Sequence, residues 1–170
     1  MSYLRKSILE VFNIFFMFIQ FGIASILMLC FTAVAWYEGS AILDNPWEWR
    51  YSTPFTQLLY GEVSKPSDIS QLDYFVYAAK FQPTFPILMT IIALYLLILV
   101  GYLLLKKEDN LLDLYISLLG ISLLLLSYFV FNSSTFGGRI FFFIFLTSGI
   151  LCSAFVLKRI INLKLMKNQN

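Results

Sequence analysis

The stretch FPILMTIIALYLLILVGYLLLKKEDN, residues 85–110, decides how the chain folds. From Phe85 to Leu105 it carries no charge. About 20 apolar residues at 1.5 Å rise cross a bilayer core of about 30 Å, so this run is a membrane-spanning helix. Pro86 falls in its first turn, where a missing N–H costs little. Lys106-Lys107-Glu108-Asp109-Asn110 is too short for anything but a tight turn between antiparallel helices. A second apolar run, about Leu111 to Phe131, follows at once.

Working outward, Asn132-Ser133-Ser134-Thr135-Phe136-Gly137-Gly138 reads as the next turn, and Ile140 to Leu157 as the last span. Asn132 heads a formal glycosylation sequon, but its place against the membrane makes it turn chemistry. Toward the N-terminus a long apolar run extends from Val11 to Trp36. The spans are thus about 11–36, 85–105, 111–131 and 140–157. The expected fold is all-α and integral to the membrane: a multi-pass, four-helix transmembrane bundle in one domain, residues 1–170. A folded loop with short helices, residues 37–84, stands on one side.

The first run has a rival reading. Arg5 and Lys6 precede it, and Ala33-Val34-Ala35 resembles a signal-peptide cleavage site. Signal h-regions are only about 7–15 residues long. This run is longer, and Asn13 and Gln20 interrupt it, so a retained helix is the expectation. Cleavage after Ala35 would leave three spans.

Composition agrees with a membrane protein. The chain is 59% hydrophobic and 13% charged, against about 45–50% and about 25% in soluble domains. Basic residues near the helix ends set orientation. Arg5, Lys6, Lys106, Lys107, Lys158, Arg159, Lys164 and Lys167 fall on one side, which is therefore cytoplasmic, with both termini inside. The loop carries six acids (Glu38, Asp44, Glu48, Glu62, Asp68, Asp73) against the bases Arg50, Lys65 and Lys80, and lies outside.

Several chemistries are excluded or disfavoured. Net charge is +2 with scattered bases, so no nucleic-acid partner is expected. No histidine is present, and the two cysteines, Cys30 and Cys152, lie in apolar runs at depths differing by roughly 9 Å. Neither a disulfide nor a C-x-x-C thiol site follows, and no metal or cofactor is expected. Asp113 is the one acid within a span, where it favours a helix N-terminus through the macrodipole. Arg139 sits at an outer edge and can snorkel. Neither residue supports an ion path. The loop carboxylates match no calcium-binding spacing and read as a solvated face.

The loop is too aromatic for a linker, since disorder goes with few aromatics. Thr53 suits an N-cap, Pro54 the first helical position and Gly61 the C′ position, which frames a short helix from Pro54 to Tyr60. Ser67 or Ser70 can cap a second helix running to about Lys80. On it, Ile69, Leu72, Val76 and Ala79 mark one face, and Tyr74 and Tyr77 another. Pro83 breaks it before the next span. Trp47, Trp49 and Tyr51 alternate, and would share one side of an extended segment. Trp47, Trp49, Tyr51, Tyr74 and Tyr77 form either an aromatic belt at the bilayer surface or a patch that docks a partner.

Trp36-Tyr37-Glu38-Gly39-Ser40, Asn45-Pro46-Trp47-Glu48-Trp49 and the run from Asp68 to Pro83 resemble a Bacillus-type family of small multispanning membrane proteins of unknown function. The resemblance covers the first span, the loop and the start of the second span. It implies a bacterial plasma membrane and no particular activity or functional residue.

Small residues mark helix contacts. Ser117, Gly120 and Ser127 lie on one stripe of the third span; Gly149 and Ser153 form a small-xxx-small pair in the fourth. Spans without mechanistic charges, joined to an aromatic loop, point to a non-enzymatic interaction or accessory protein in contact with lipid and a membrane or extracytoplasmic partner. A carrier or pore for a lipid or hydrophobic compound is the second reading. An outer-surface enzyme using loop carboxylates is the third.

Overall fold

A computed structural model describes residues 2–167. The regular elements among them are all helical. They are α1 (Ser2–Gly39), α2 (Trp49–Ser52), α3 (Pro54–Tyr60), α4 (Gln71–Phe81), α5 (Thr84–Leu105), α6 (Asp109–Val130) and α7 (Phe136–Lys167), with 3₁₀ turns at Ser40–Asp44, Pro46–Glu48 and Pro66–Asp68. By length and composition four of them (α1, α5, α6 and α7) can cross a membrane. Two of these overrun the expected limits. Both α1 and α7 continue into polar flanks, because helix propagation asks only for good helix formers and not for apolar ones.

The chain divides into two compact units. One comprises residues up to Ala78 with Thr84–Val100; the other comprises Ala79–Pro83 with the residues from Gly101 onward.

In the first unit α1 and α5 run antiparallel. The Phe31 and Phe85 rings lie 6.0 Å apart, and Tyr95 donates a hydrogen bond of 3.1 Å to the Gln20 amide oxygen. Eleven residues separate the α1 partners and ten the α5 partners, in reverse order, which is the register of neighbouring antiparallel helices. Gln20 therefore serves as interhelical glue. Beyond this contact α1 continues for two more turns, where α4 crosses it. Ala35 is fully buried, and Gly39, one turn later on the same face, is also buried. A Cβ on Gly39 would collide with the Tyr74 carbonyl. The Trp36 and Tyr74 rings meet beside this crossing at 6.1 Å. The Ala33-Val34-Ala35 stretch thus lies within the last two turns of α1, with Ala35 buried. Elsewhere α1 turns Phe12, Phe15, Phe18 and Leu29 outward.

The second unit is built on the α6–α7 hairpin. Gly120 faces α7 so closely that an added Cβ would stand 3.1 Å from Cys152 Cβ and 3.3 Å from Ser153 Oγ. A Cβ on Gly149 would stand 2.8 Å from Leu124 and 3.1 Å from the Gly120 carbonyl. Ser127 is buried and Ser117 half-buried on the same helix. Ser153 keeps its hydroxyl inside α7, donating to the Gly149 carbonyl at 2.9 Å. Asp113 stands 3.2 Å from Arg159 across the hairpin. The macrodipole alone therefore does not account for Asp113; a cation on α7 also offsets its charge.

One turn differs from expectation. Gly137 and Gly138 are not turn residues but lie in the first turn of α7, which Thr135 caps by accepting the Gly138 N–H at 3.2 Å. Their φ angles are negative. Close packing requires both: a Cβ would strike the Ala79 carbonyl from Gly137 and the Ser133 hydroxyl from Gly138.

Candidate functional site

Residues 40–78 form a folded loop domain within the first unit, and its interior is organised around Asp73. This carboxylate is fully buried. It accepts the Phe55 and Thr56 backbone N–H groups at 2.9 Å each and the Thr56 hydroxyl at 2.5 Å. The Thr56 hydroxyl in turn accepts the Ser70 N–H at 2.8 Å. Asp73 thus caps the start of α3 from seventeen residues downstream. The expected Thr53 cap is not made: Thr53 occupies the position, but its hydroxyl donates to the Trp49 carbonyl. Ser70 caps α4 by accepting the Leu72 N–H at 3.3 Å. Asp73 does not return to Ser70 to close a capping box, because α3 claims both its oxygens. Nor is it part of a solvated face, as expected of the loop acids.

Around this network lies a small aromatic core. Ile42, Ile69, Tyr74 and Tyr77 are buried together, with Leu43, Trp49 and Val63 packed against them. Buried aromatic N–H and O–H groups need partners, and the Trp49 indole and the Tyr77 hydroxyl have them. The Trp49 indole donates to the Ile42 carbonyl at 2.9 Å. The Asn45 amide donates to the Tyr77 hydroxyl at 2.9 Å and to the Ala41 carbonyl at 2.8 Å.

Burial, reinforced by the negative charge of Glu48 and partly offset by the Asn45 bond, raises the Tyr77 pKa above its ordinary 10.0. The folded domain then holds this proton more tightly than the unfolded chain does. Its contribution is fully present below pH 10 and is lost as pH rises through the folded value. Tryptophan fluorescence of the protein is expected to report loosening of the loop domain at alkaline pH. Tyr77→Phe should shift that alkaline transition upward while lowering stability at pH 7 by about 1 kcal/mol.

The sequence-derived aromatic residues separate into two groups. Trp47 is 84% exposed and Tyr51 67%. Trp49 is half-buried, and Tyr74 and Tyr77 are interior. Trp47, Trp49 and Tyr51 do not alternate along an extended segment, since Pro46–Glu48 is a 3₁₀ turn running into α2. Proline fixes φ near the helical value, and the Glu48 N–H bonds back to Asn45 at 3.1 Å. The inward face of α4 is also rotated from expectation. Asp73, Tyr74, Tyr77 and Ala78 point inward, and Leu72 is 52% exposed. Polar anchoring of Asp73 and Tyr77 outweighs one leucine. Sequence reasoning missed Leu58 and Tyr60 of α3, which are 83% and 77% exposed.

The remaining loop carboxylates are dispersed in role. Glu48 accepts the Ser52 hydroxyl at 3.0 Å. Asp68 accepts the Ser64 and Lys65 N–H groups at 3.3 and 3.2 Å. Among the described residues no three acids or thiols gather as metal ligands. Two clefts open on the domain. One, of about 590 Å³, is lined by Pro46, Trp49, Arg50, Gln57, Glu62 and Val63, among others. The other, of about 560 Å³, is lined by Thr56, Tyr60, Glu62, Asp68, Ile69 and Ser70, among others. Both volumes fall within the range of small-molecule pockets.

A family model described as a domain of unknown function (DUF4306) matches residues 18–105. That range takes in most of α1, the whole loop domain and α5, and leaves α6 and α7 outside. The chain is also 40% identical over 84 residues to the "Uncharacterized protein YjdJ" of Bacillus subtilis (strain 168), an alignment covering 48% of this chain and 77% of that protein. No solved structure matches the chain.

Proposed function

Since the chain belongs to the DUF4306 family, we propose that it is a non-enzymatic membrane interaction protein whose loop domain docks a partner. The basic helix ends favour a bacterial plasma membrane with both termini in the cytoplasm and the loop domain outside. The observation that carries the reading is the contrast within that domain. Its interior polar groups are committed to one another through Asp73, Thr56, Ser70, Asn45 and Trp49. Its apolar groups Trp47, Tyr51, Leu58 and Tyr60 are nevertheless left in the open. A rigid scaffold presenting large aromatic side chains is how binding surfaces place their strongest contacts.

Trp47→Ala with Tyr51→Ala is expected to lower recovery of cross-linked partner from native membranes at least tenfold, with Trp49 fluorescence unchanged. Recovery of monomer alone, indifferent to both substitutions, would remove the reading. A second reading draws on Leu58 and Tyr60 of α3: they suit immersion at the lipid surface, where aromatics concentrate. Quenching of Trp47 by brominated lipid distinguishes the two.

A further inference from the structure

We infer that two copies of the chain pair in parallel through α1, with the Gln20 amide of each copy bonded to that of the other; this rests on the membrane placement in the reading above. Tyr95 uses one lone pair of the Gln20 amide oxygen. The second lone pair and both amide N–H groups are unspent, since Gln20 makes no other hydrogen bond among the described residues. Tyr95 stands ten residues from the Leu105 end of α5 and eleven from Thr84. The pair is therefore about 15 Å or more from either end of that span. In a hydrocarbon core of about 30 Å this is the middle, where neither water nor a lipid carbonyl reaches. An unpaired amide N–H is costly there, and a neighbouring helix has to supply its acceptor.

A second copy fits because an amide is its own complement. Across a twofold axis each Gln20 donates one N–H to the free lone pair of the other, and one reciprocal pair satisfies both. The rest of α1 keeps the same register. Asn13, Phe16, Gln20, Ile23, Leu27 and Cys30 follow a 3-4-3-4-3 spacing, a continuous seam on helices supercoiled at 3.5 residues per turn. Gln20 is half-buried beside Tyr95 and the other five are exposed. Both amide side chains of the apolar run, Asn13 and Gln20, stand on this seam seven residues apart. Asn13 likewise makes no hydrogen bond among the described residues. Polar side chains at equivalent seam positions fix the register of a pair. The exposed Phe15, Phe18 and Leu29 lie on another side of the helix and carry no polar group to satisfy. Basic flanks orient every copy the same way, so the helices are parallel and identical residues meet. Both loop domains then stand on one side, and Trp47 and Tyr51 are offered twice to a partner.

The test is oxidative cross-linking of the full chain in carbonate-washed bacterial membranes, with copper phenanthroline as oxidant. On the seam Cys30 meets its own copy within the roughly 4.4–6.8 Å between Cα atoms that a disulfide spans. A disulfide-linked dimer is expected for the unaltered chain and for Cys152→Ser, and none for Cys30→Ser. Added to Cys30→Ser, Leu27→Cys should restore the dimer. Leu29→Cys, at nearly the same depth on another side of the helix, should not. Gln20→Leu should lower the cross-linked fraction at least fivefold, whereas Tyr95→Phe leaves the amide to its copy and should preserve it. Equal cross-linking of Leu27→Cys and Leu29→Cys, or a dimer indifferent to Gln20→Leu, would overturn the inference and leave the membrane placement standing. If carbonate strips the chain itself from the membranes, the placement and the pairing fail together.

Discussion

Asp73→Ala is expected to unfold the loop domain, at a cost of about 3–5 kcal/mol. The carboxylate is fully buried and accepts two backbone N–H groups and one hydroxyl. Alanine would strand those donors where water cannot reach them, and α3 would lose its only side-chain cap. Asp73→Asn keeps one acceptor oxygen and the shape, so about half the loss is expected. Thr56→Val should cost less alone and add little to Asp73→Ala, because the two groups act as one network. Protease susceptibility of the loop in detergent, followed through a urea series, gives the values. A loss under 1 kcal/mol for Asp73→Ala would mean that the carboxylate does not hold the domain. Glu62→Ala, on the exposed segment, serves as the control and should stay within about 0.5 kcal/mol.

Gly39→Ala should cost about 3 kcal/mol or more, although it adds one methyl group to a helix. Overpacking usually costs about 1–3 kcal/mol because side chains can shift. Here the obstacle is the Tyr74 backbone carbonyl, which cannot rotate away; α4 would have to leave α1. Gly22, on the same helix, has nothing within 4 Å of an added Cβ. Gly22→Ala should be silent or gain up to about 1 kcal/mol from helix propensity. Melting of the purified protein, read by the Trp36 and Trp49 signals, compares the two. Equal melting points would show that α4 does not cross α1 at Gly39.

The four apolar helices were legible because hydrophobic length alone identifies them, as residues 85–105 demonstrate. The α3 limits were legible too, since Pro54 and Gly61 act locally: one presets φ and the other tolerates φ of +88°. The Ser70 cap belongs to the same local class. What escaped notice depended on partners distant in sequence. Thr53, a good cap by type, yields to Asp73 because the fold brings a charged acceptor to the same N–H groups. Gly137 and Gly138 look like turn residues, yet they stand in the first turn of α7, and they are glycines because Ala79 and Ser133 approach too closely for a Cβ.

By itself the sequence determined the number of apolar helices and their approximate places, the short α3 and α4 helices of the loop and the family to which the chain belongs. These follow from composition, chain geometry and local φ preferences, which need no tertiary partner. Only the tertiary structure decided which loop residues face inward. It buried Asp73, Tyr74 and Tyr77 and left Trp47, Tyr51, Leu58 and Tyr60 exposed. The reason is physical: a buried polar group goes where its hydrogen bonds are, and the partners of Asp73 and Tyr77 lie seventeen to thirty-two residues away.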